Sequence, residues 1–519
     1  MAKATHVARF KGAVFLMLAA SLVACNKDKI LNVTDPDIIN PSNLTSAEAA
    51  EALRVGALSR LSDMTAGLIP GGGSLGEGIF FFSGAVADEW RSTDTFVQRD
   101  ESDSRSITES NSGMTLEARS INRTRVAAIQ AIPILKQFKP ANVSDVGQMY
   151  WVRGFAEVSI ADNFCNGSPI SSLDASNAIV YGEPETNVQI YTRAKASFDT
   201  AVLNAPAGDA RGDTVKWMSA IEKARVQLDL GDVAGAGTTI NAVLPAAPGG
   251  TCAGCISDNF KFSIAYSQAT AQDNQIWALN NSAGRWMPAN NEGPLGLNPA
   301  NANDPRVPIC IGGTGTAAAP GNGCKNFDPN QTRNTSFDNN FGPGTFLVQL
   351  VWPTREADVA IVTAAEAHLI KAEVSLRTGD VAGFYAELNY LRTNFDTFKQ
   401  QANPCSAVVN RAGCPAVPVG GNLLPGNLAD PLVGATQAAR EDLLFRERGF
   451  WLWSTAHRLA DLRRLVRPTS EGGFGRAENT VFPNGPYYKG GLYGSDKFLI
   501  IPQAEQNNPQ FHGCLDKNA

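Results

Sequence analysis

Histidine is scarce in this sequence. Only His6, His368, His457 and His512 occur in 519 residues, and no two of them stand at helical spacing. That excludes a His-x-x-x-His metal helix and leaves few carriers for imidazole acid–base chemistry. Charge is sparse as well, at 18% of residues with a formal net charge of −6, so the chain offers no basic field for nucleic acid. Gly71-Gly72-Gly73 is not followed by Gly-Lys-Ser/Thr, which removes a phosphate cradle. Asp88-Glu89 is the most suggestive carboxylate pair for glycoside hydrolysis. Adjacent residues point in different directions, however, and adjacency does not set the carboxyl separation which that chemistry requires. With no metal set and no cofactor motif, the chain reads as a binding protein and not an enzyme.

Beyond the first 24 residues no stretch is long and apolar enough to cross a bilayer. Within them, Lys3, Arg9 and Lys11 form a positive region and Gly12 to Val23 a short apolar one, as in a signal peptide. Leu22-Val23-Ala24-Cys25 then resembles a bacterial lipobox, so residues 1–24 are expected to be removed and Cys25 lipidated. Asn26 after the cysteine fits retention in the outer membrane. Residues 25–45 read as a polar tether, which leaves the lipid as the sole membrane anchor.

Nine cysteines less Cys25 leave an even number, as an oxidising compartment favours. Nearness suggests Cys252 with Cys255, Cys310 with Cys324 and Cys405 with Cys414, leaving Cys165 for Cys514, among about 105 possible pairings. Cys252-x-x-Cys255 lacks a second such pair or a nearby His, so it reads as a loop clip and not a zinc or redox site.

Helical periodicity runs over Ser46–Ser62, Arg123–Phe138, Met149–Phe164 and Thr186–Val202, while Thr93–Ser112 is polar and reads as a loop or solvated face. The clearest internal signal is a repeat. Leu228-Asp229-Leu230-Gly231-Asp232-Val233-Ala234-Gly235 recurs as Leu376-Arg377-Thr378-Gly379-Asp380-Val381-Ala382-Gly383. Apolar helix patterns flank each copy, at Trp217–Leu230 and Val233–Val243, and at Ala360–Leu376 and Val381–Leu391. The Gly suits a left-handed helix end and the Asp caps the next helix, which is a helix-turn-helix signature.

Arg446, Arg448, Arg458, Arg463 and Arg464 stand with Glu447, His457 and Asp461 among large apolar residues. Leu452, Ala456, Leu459, Leu462 and Val466 fall on one face of a helix spanning 446–466. Asp461 lies one turn from Arg458, Arg464 and His457, so the pattern predicts a buried ion-pair network that locks packing.

Ala456-His457-Arg458-Leu459-Ala460-Asp461-Leu462-Arg463-Arg464 is similar to the Gly-His-Arg-x-x-Asp-Leu-Arg-Arg signature of the SusD/RagB family of nutrient-binding outer-membrane lipoproteins. Ala456 replaces Gly, and Leu459-Ala460 replace an aromatic pair. Met149–Ala156, running through Asp162-Asn163-Phe164 to Gly167-Ser168-Pro169-Ile170, resembles a second family landmark, with Gly154 where Ala is usual. Phe498-Leu499-Ile500-Ile501-Pro502 with Glu505 and Asn508 looks like the family's closing segment.

The resemblance implies an all-α fold in a single SusD-like domain over 46–519. Tetratricopeptide-like hairpins near 186–245 and 358–395 would be the scaffold, and long irregular insertions at 245–344 and 403–437 would pack on it. It further implies a cell-surface protein of the outer membrane, needing no cofactor or metal. That protein would capture a glycan or oligopeptide and deliver it to a TonB-dependent, SusC-like transporter barrel. Aromatics would hold the ligand, and the candidates, of which one or two are expected to face it, are Trp90 with Asp88 and Arg91, Trp286 with Arg285, Trp277, and Trp352. His457, Arg458, Asp461, Arg463 and Arg464 would be structural. The competing reading is a tetratricopeptide scaffold for envelope assembly, against which the aromatic-bearing insertions argue.

Overall fold

Capping chemistry sets most helix starts. In the computed structural model, which describes residues 45–69, 76–174, 178–267, 269, 272–302, 304–312, 346–400, 436–516 and 518, the chain is mostly helical. The first helices are α1 (Ala47–Met64), α2 (Ile79–Ala87), α3 (Val97–Asp103), α4 (Ser112–Phe138) and α5 (Val143–Asn163). They are followed by α6 (Asn187–Leu203), α7 (Ala210–Asp229) and α8 (Val233–Asn241). The last are α9 (Ala364–Arg377), α10 (Val381–Thr393), α11 (Gln437–Trp451) and α12 (His457–Val466). Thr186 and Gln189 close a reciprocal capping box at α6. The expected signal segment 1–24, Cys25, the stretch 403–435 with Cys405 and Cys414, and Cys324 lie outside the described residues.

Both copies of the Gly-Asp turn are built alike. Gly231 and Gly379 take φ of 76° and 85°, and the Asp232 and Asp380 side chains each accept the N–H three residues on, at 2.9 Å. Each turn joins two packed helices, α7 to α8 and α9 to α10, and α8 packs on α9. Far apart in sequence, the two hairpins are therefore neighbours in space, and α4, α5 and α6 extend the helical layer beside α7.

Two sequence expectations change. Ala360–Thr363 is strand, not helix, because Val359, Ile361 and Val362 suit a pleated ladder and Thr363 then caps α9. Likewise the polar stretch 93–112 holds α3.

Strands occur in pairs. β1 (Trp90–Ser92) pairs β3 (Trp286–Pro288), β2 (Lys261–Ile264) pairs β6 (Val359–Thr363), and β4 (Ile309–Gly312) pairs β5 (Phe346–Gln349), all antiparallel. The first insertion thus contributes short strands, with a π-helix at Trp277–Ser282. Cys165–Cys514 and Cys252–Cys255 are bridged, the latter in a loop whose Gly254 carbonyl accepts the Trp217 indole N–H at 3.0 Å.

At Gly154 the helices α5 and α6 approach closely, and a Cβ there would meet Phe198 Cε1 at 2.7 Å. Phe198 is fully buried, so its ring has nowhere to retreat. Overpacking of about 1–3 kcal/mol outweighs the helix-propensity gain of about 1 kcal/mol. Gly154→Ala is therefore expected to lower the thermal midpoint, and Phe198→Leu in the same chain to restore part of it. An unchanged midpoint in the single variant would refute the close-approach account.

Candidate functional site

The arginine-rich stretch is two helices. α11 ends at Trp451 and α12 begins at His457, with Ser454 and Ala456 at φ of 57° and 62° between them. The apolar stripe expected across 446–466 is broken because tertiary hydrogen bonds claim the turn. Glu89 Oε1 accepts the Ser454 N–H at 2.9 Å, and the Trp90 indole N–H donates to Ser454 Oγ at 2.8 Å.

Asp461 pairs with Arg448 at 2.8 Å and Arg464 at 3.1 Å, and with neither Arg458 nor His457 as spacing had suggested. Arg458 instead holds Asp88 through two hydrogen bonds of 2.9 and 3.0 Å, with its remaining donors on the Phe445 and Leu295 carbonyls. His457 Nε2 lies 2.9 Å from Glu366 Oε1. Arg463 donates to the carbonyls of Ala161 and Asp162 at the C-terminal end of α5, where the helix dipole favours a cation. Burial alone would raise the Asp461 carboxyl, but Arg448 and Arg464 hold it below the usual range. These five residues are buried between elements, each engaged by groups of the fold itself.

The tryptophans expected to face ligand are buried, which corrects that assignment. Trp90, Trp286 and Trp352 are 0% exposed and Trp277 is 4% exposed. Trp90 packs between Phe81 and Trp453, with centroids 4.7 and 4.8 Å apart, while Trp352 stacks on Trp453. Trp286 stacks on Phe81 and donates to Glu77 Oε2 at 2.6 Å. Trp277 lies under the Arg355 guanidinium. Asp88 is taken by Arg458, and Arg91 pairs with Glu292 inside the fold. Strand pairing explains the outcome: β1 and β3 turn their tryptophans onto α2, and three of its core residues are phenylalanine.

Arg285 alone of the seven reaches solvent, and it leads to a residue that sequence reasoning passed over. Phe96, in the polar stretch before α3, is 49% exposed. The Arg99 and Arg285 guanidiniums sit 4.7 and 5.2 Å from its ring centroid. Asp94 pairs with both arginines, at 3.1 Å to Arg285. Lys489 closes the patch by donating to the Asp94 carbonyl at 2.7 Å. The exposed ring beside the part-exposed Arg285 guanidinium offers an apolar face next to hydrogen-bond donors, and Asp94, buried beneath, holds both arginines in place. The signal was a single aromatic isolated among polar residues.

Among the described residues no group of three His, Cys, Asp or Glu side chains could hold a metal ion. Gly72-Gly73-Ser74-Leu75-Gly76 spells the pattern of a hydrolase nucleophile elbow. Ser74 lies outside the described residues, and the buried His368 and His457 are engaged by Glu387 and Glu366.

Beside the Asp88 clamp, Glu89 is fully buried and its Oε2 has no hydrogen-bond partner among the described residues. Burial, opposed by the Ser454 N–H and assisted by Asp88, pushes its carboxyl from 4.5 up to about 8. The native chain thus keeps this proton where the unfolded chain has lost it. Its stabilising contribution is complete below the unfolded value and is lost as pH rises through the folded one, with a limiting slope of about 1.4 kcal/mol per pH unit. Denaturant unfolding across that window is expected to show the slope, and Glu89→Gln to remove it. A Gln variant with the wild-type pH dependence would contradict the assignment.

The sequence matches no protein-family model and no curated protein. Its structure is similar to solved structures. A laminarin-binding SusD-like protein superposes with a TM-score of 0.58 at 14% identity, covering 91% of this chain and 99% of that one. A SusD/RagB family protein from Bacteroides thetaiotaomicron gives 0.57 at 16% identity over 80% and 87% of the two chains. A SusD superfamily protein from Bacteroides vulgatus gives 0.55 at 12% identity over 90% and 98%. The described chain therefore has the fold of the SusD superfamily, as its C-terminal signature, doubled Gly-Asp turn and closing segment had implied.

Proposed function

We propose that the protein is a lipid-anchored nutrient-capture protein of the outer-membrane surface, which holds a glycan and presents it to a partner TonB-dependent barrel. The observation that carries this reading is a fold shared along almost the full length of a laminarin-binding SusD-like protein. The lipobox ending in Cys25 supplies the anchor, and no helix among the described residues is long and apolar enough to cross a membrane. We place the glycan at Phe96 and Arg285, where a sugar's C–H face can stack on the ring and its hydroxyls can accept from the guanidinium that Asp94 holds from beneath. Binding asks nothing of catalysis. The carboxylates Asp88 and Glu89, buried behind this patch, serve packing.

Titration with soluble laminarin oligosaccharides tests the site. Phe96→Ala is expected to weaken binding several-fold, up to about tenfold, with the thermal midpoint retained because the ring is half exposed. Trp90→Ala is expected to unfold the protein and not to weaken binding selectively. Undiminished binding by the Phe96 variant would remove the patch from the site. Purification of the native lipoprotein from outer membrane should bring a barrel with it, and its consistent isolation alone would favour a scaffold role.

A further inference from the structure

A cleft of about 730 Å³ opens between α5, α6 and the segment 183–185, and it shares no lining residue with the Phe96 patch. Its size falls among those of small-ligand sites, about 300–1,000 Å³. Tyr150 and Arg153 come from α5, Gln189 and Arg193 from α6, and Glu183 and Glu185 from the connecting segment.

The floor is built around one buried carboxylate. Glu157 is fully buried and accepts from Arg125 Nε at 3.2 Å, Arg153 Nε at 3.0 Å and Ser197 Oγ at 2.9 Å. Two guanidiniums thus share one negative charge. Arg125 donates further to the Ser171 carbonyl at 2.6 Å. Arg153 makes no other hydrogen bond among the described residues, and its side chain is 27% exposed. Its position is therefore fixed through Nε while both terminal amino groups stay available, a planar pair of donors on the cleft wall. Arg193 is tied to Glu185, and Lys136 adds a cation 5.4 Å from the Tyr150 ring. The crowding of cations registers on Arg125, which burial pushes down against the pull of Glu157, with Arg153 and Arg193 adding repulsion.

We propose that this cleft is a second ligand site that takes a carboxylate, with Arg153 as its two-pronged anchor. A carboxylate matches the guanidinium fork through two parallel charge-assisted hydrogen bonds. Glu183, exposed on the same cleft and without a hydrogen-bond partner among the described residues, suits an ammonium or hydroxyl elsewhere on the same ligand. Two sources carry such a carboxylate, an acidic sugar and a peptide.

Calorimetric titration of the full chain with digalacturonate and with triglutamate separates these sources, using the neutral galactose dimer and trialanine amide as controls. One acidic probe is expected to bind and its neutral counterpart not to. Arg153→Gln is expected to weaken that binding about tenfold or more, and Arg153→Lys to retain part of it. Circular dichroism on each variant confirms that the helices persist. Failure of both acidic probes to bind overturns the proposal. So does affinity unchanged by Arg153→Gln, or binding lost with Phe96→Ala instead.

Discussion

Three carboxylates converge on Arg464: Glu373 of α9 at 2.7 Å, Asp461 of its own helix at 3.1 Å, and Asp229 of α7 at 3.3 Å. All four groups are buried. Burying charges is costly, and a well-packed apolar substitute would often be as stable. What the network supplies is direction. The two Gly-Asp hairpins present similar apolar faces, and apolar contact by itself is tolerant of sliding. One guanidinium that must meet carboxylates from α7 and α9 together sets the hairpins in one register. Arg463 extends the same helix to the carbonyl end of α5, so α12 is coordinated to three others.

That constraint reaches the surface through Arg458. Its clamp on Asp88 fixes the end of α2 and the start of β1, and the Trp90 bond to Ser454 fixes the turn between α11 and α12. β1 then positions β3, and the Thr93 N–H donates to the Arg285 carbonyl at 3.1 Å. Phe96 and Arg285 meet because the segments that carry them, just after β1 and just before β3, are anchored from beneath. A surface patch carried on elements fixed in this way is pre-organised, which lowers the ordering cost of binding.

Local chemistry was the most legible part of the sequence. Caps at Asp232 and Asp380 and the turn glycines Gly231 and Gly379 stand in the structure as their sequence context implied, and the Cys165–Cys514 bridge, reached by elimination, is present. Of the signature arginines, Arg458 and Arg464 stand in buried ion pairs, as their pattern predicted, yet not both with the partner that spacing offered. Spacing along a helix offered Asp461 to Arg458, whereas the fold supplied Asp88 from a different third of the chain. The ligand residues were misread for a related reason. Tryptophans next to charged and loop residues look exposed, but β1 and β3 pair and turn Trp90 and Trp286 onto the phenylalanines of α2.

The sequence by itself determined where the capped helices after Asp232 and Asp380 begin, which turns repeat, and that a charged centre holds the C-terminal third. Those features depend on residues within one or two turns of each other. Tertiary structure decided which carboxylate each arginine meets, that the helical stripe breaks at Ser454 and Ala456, and that Phe96 emerges while four tryptophans sink. Each of those outcomes depends on groups brought together across hundreds of residues, where hydrogen-bond geometry and packing volume override local periodicity.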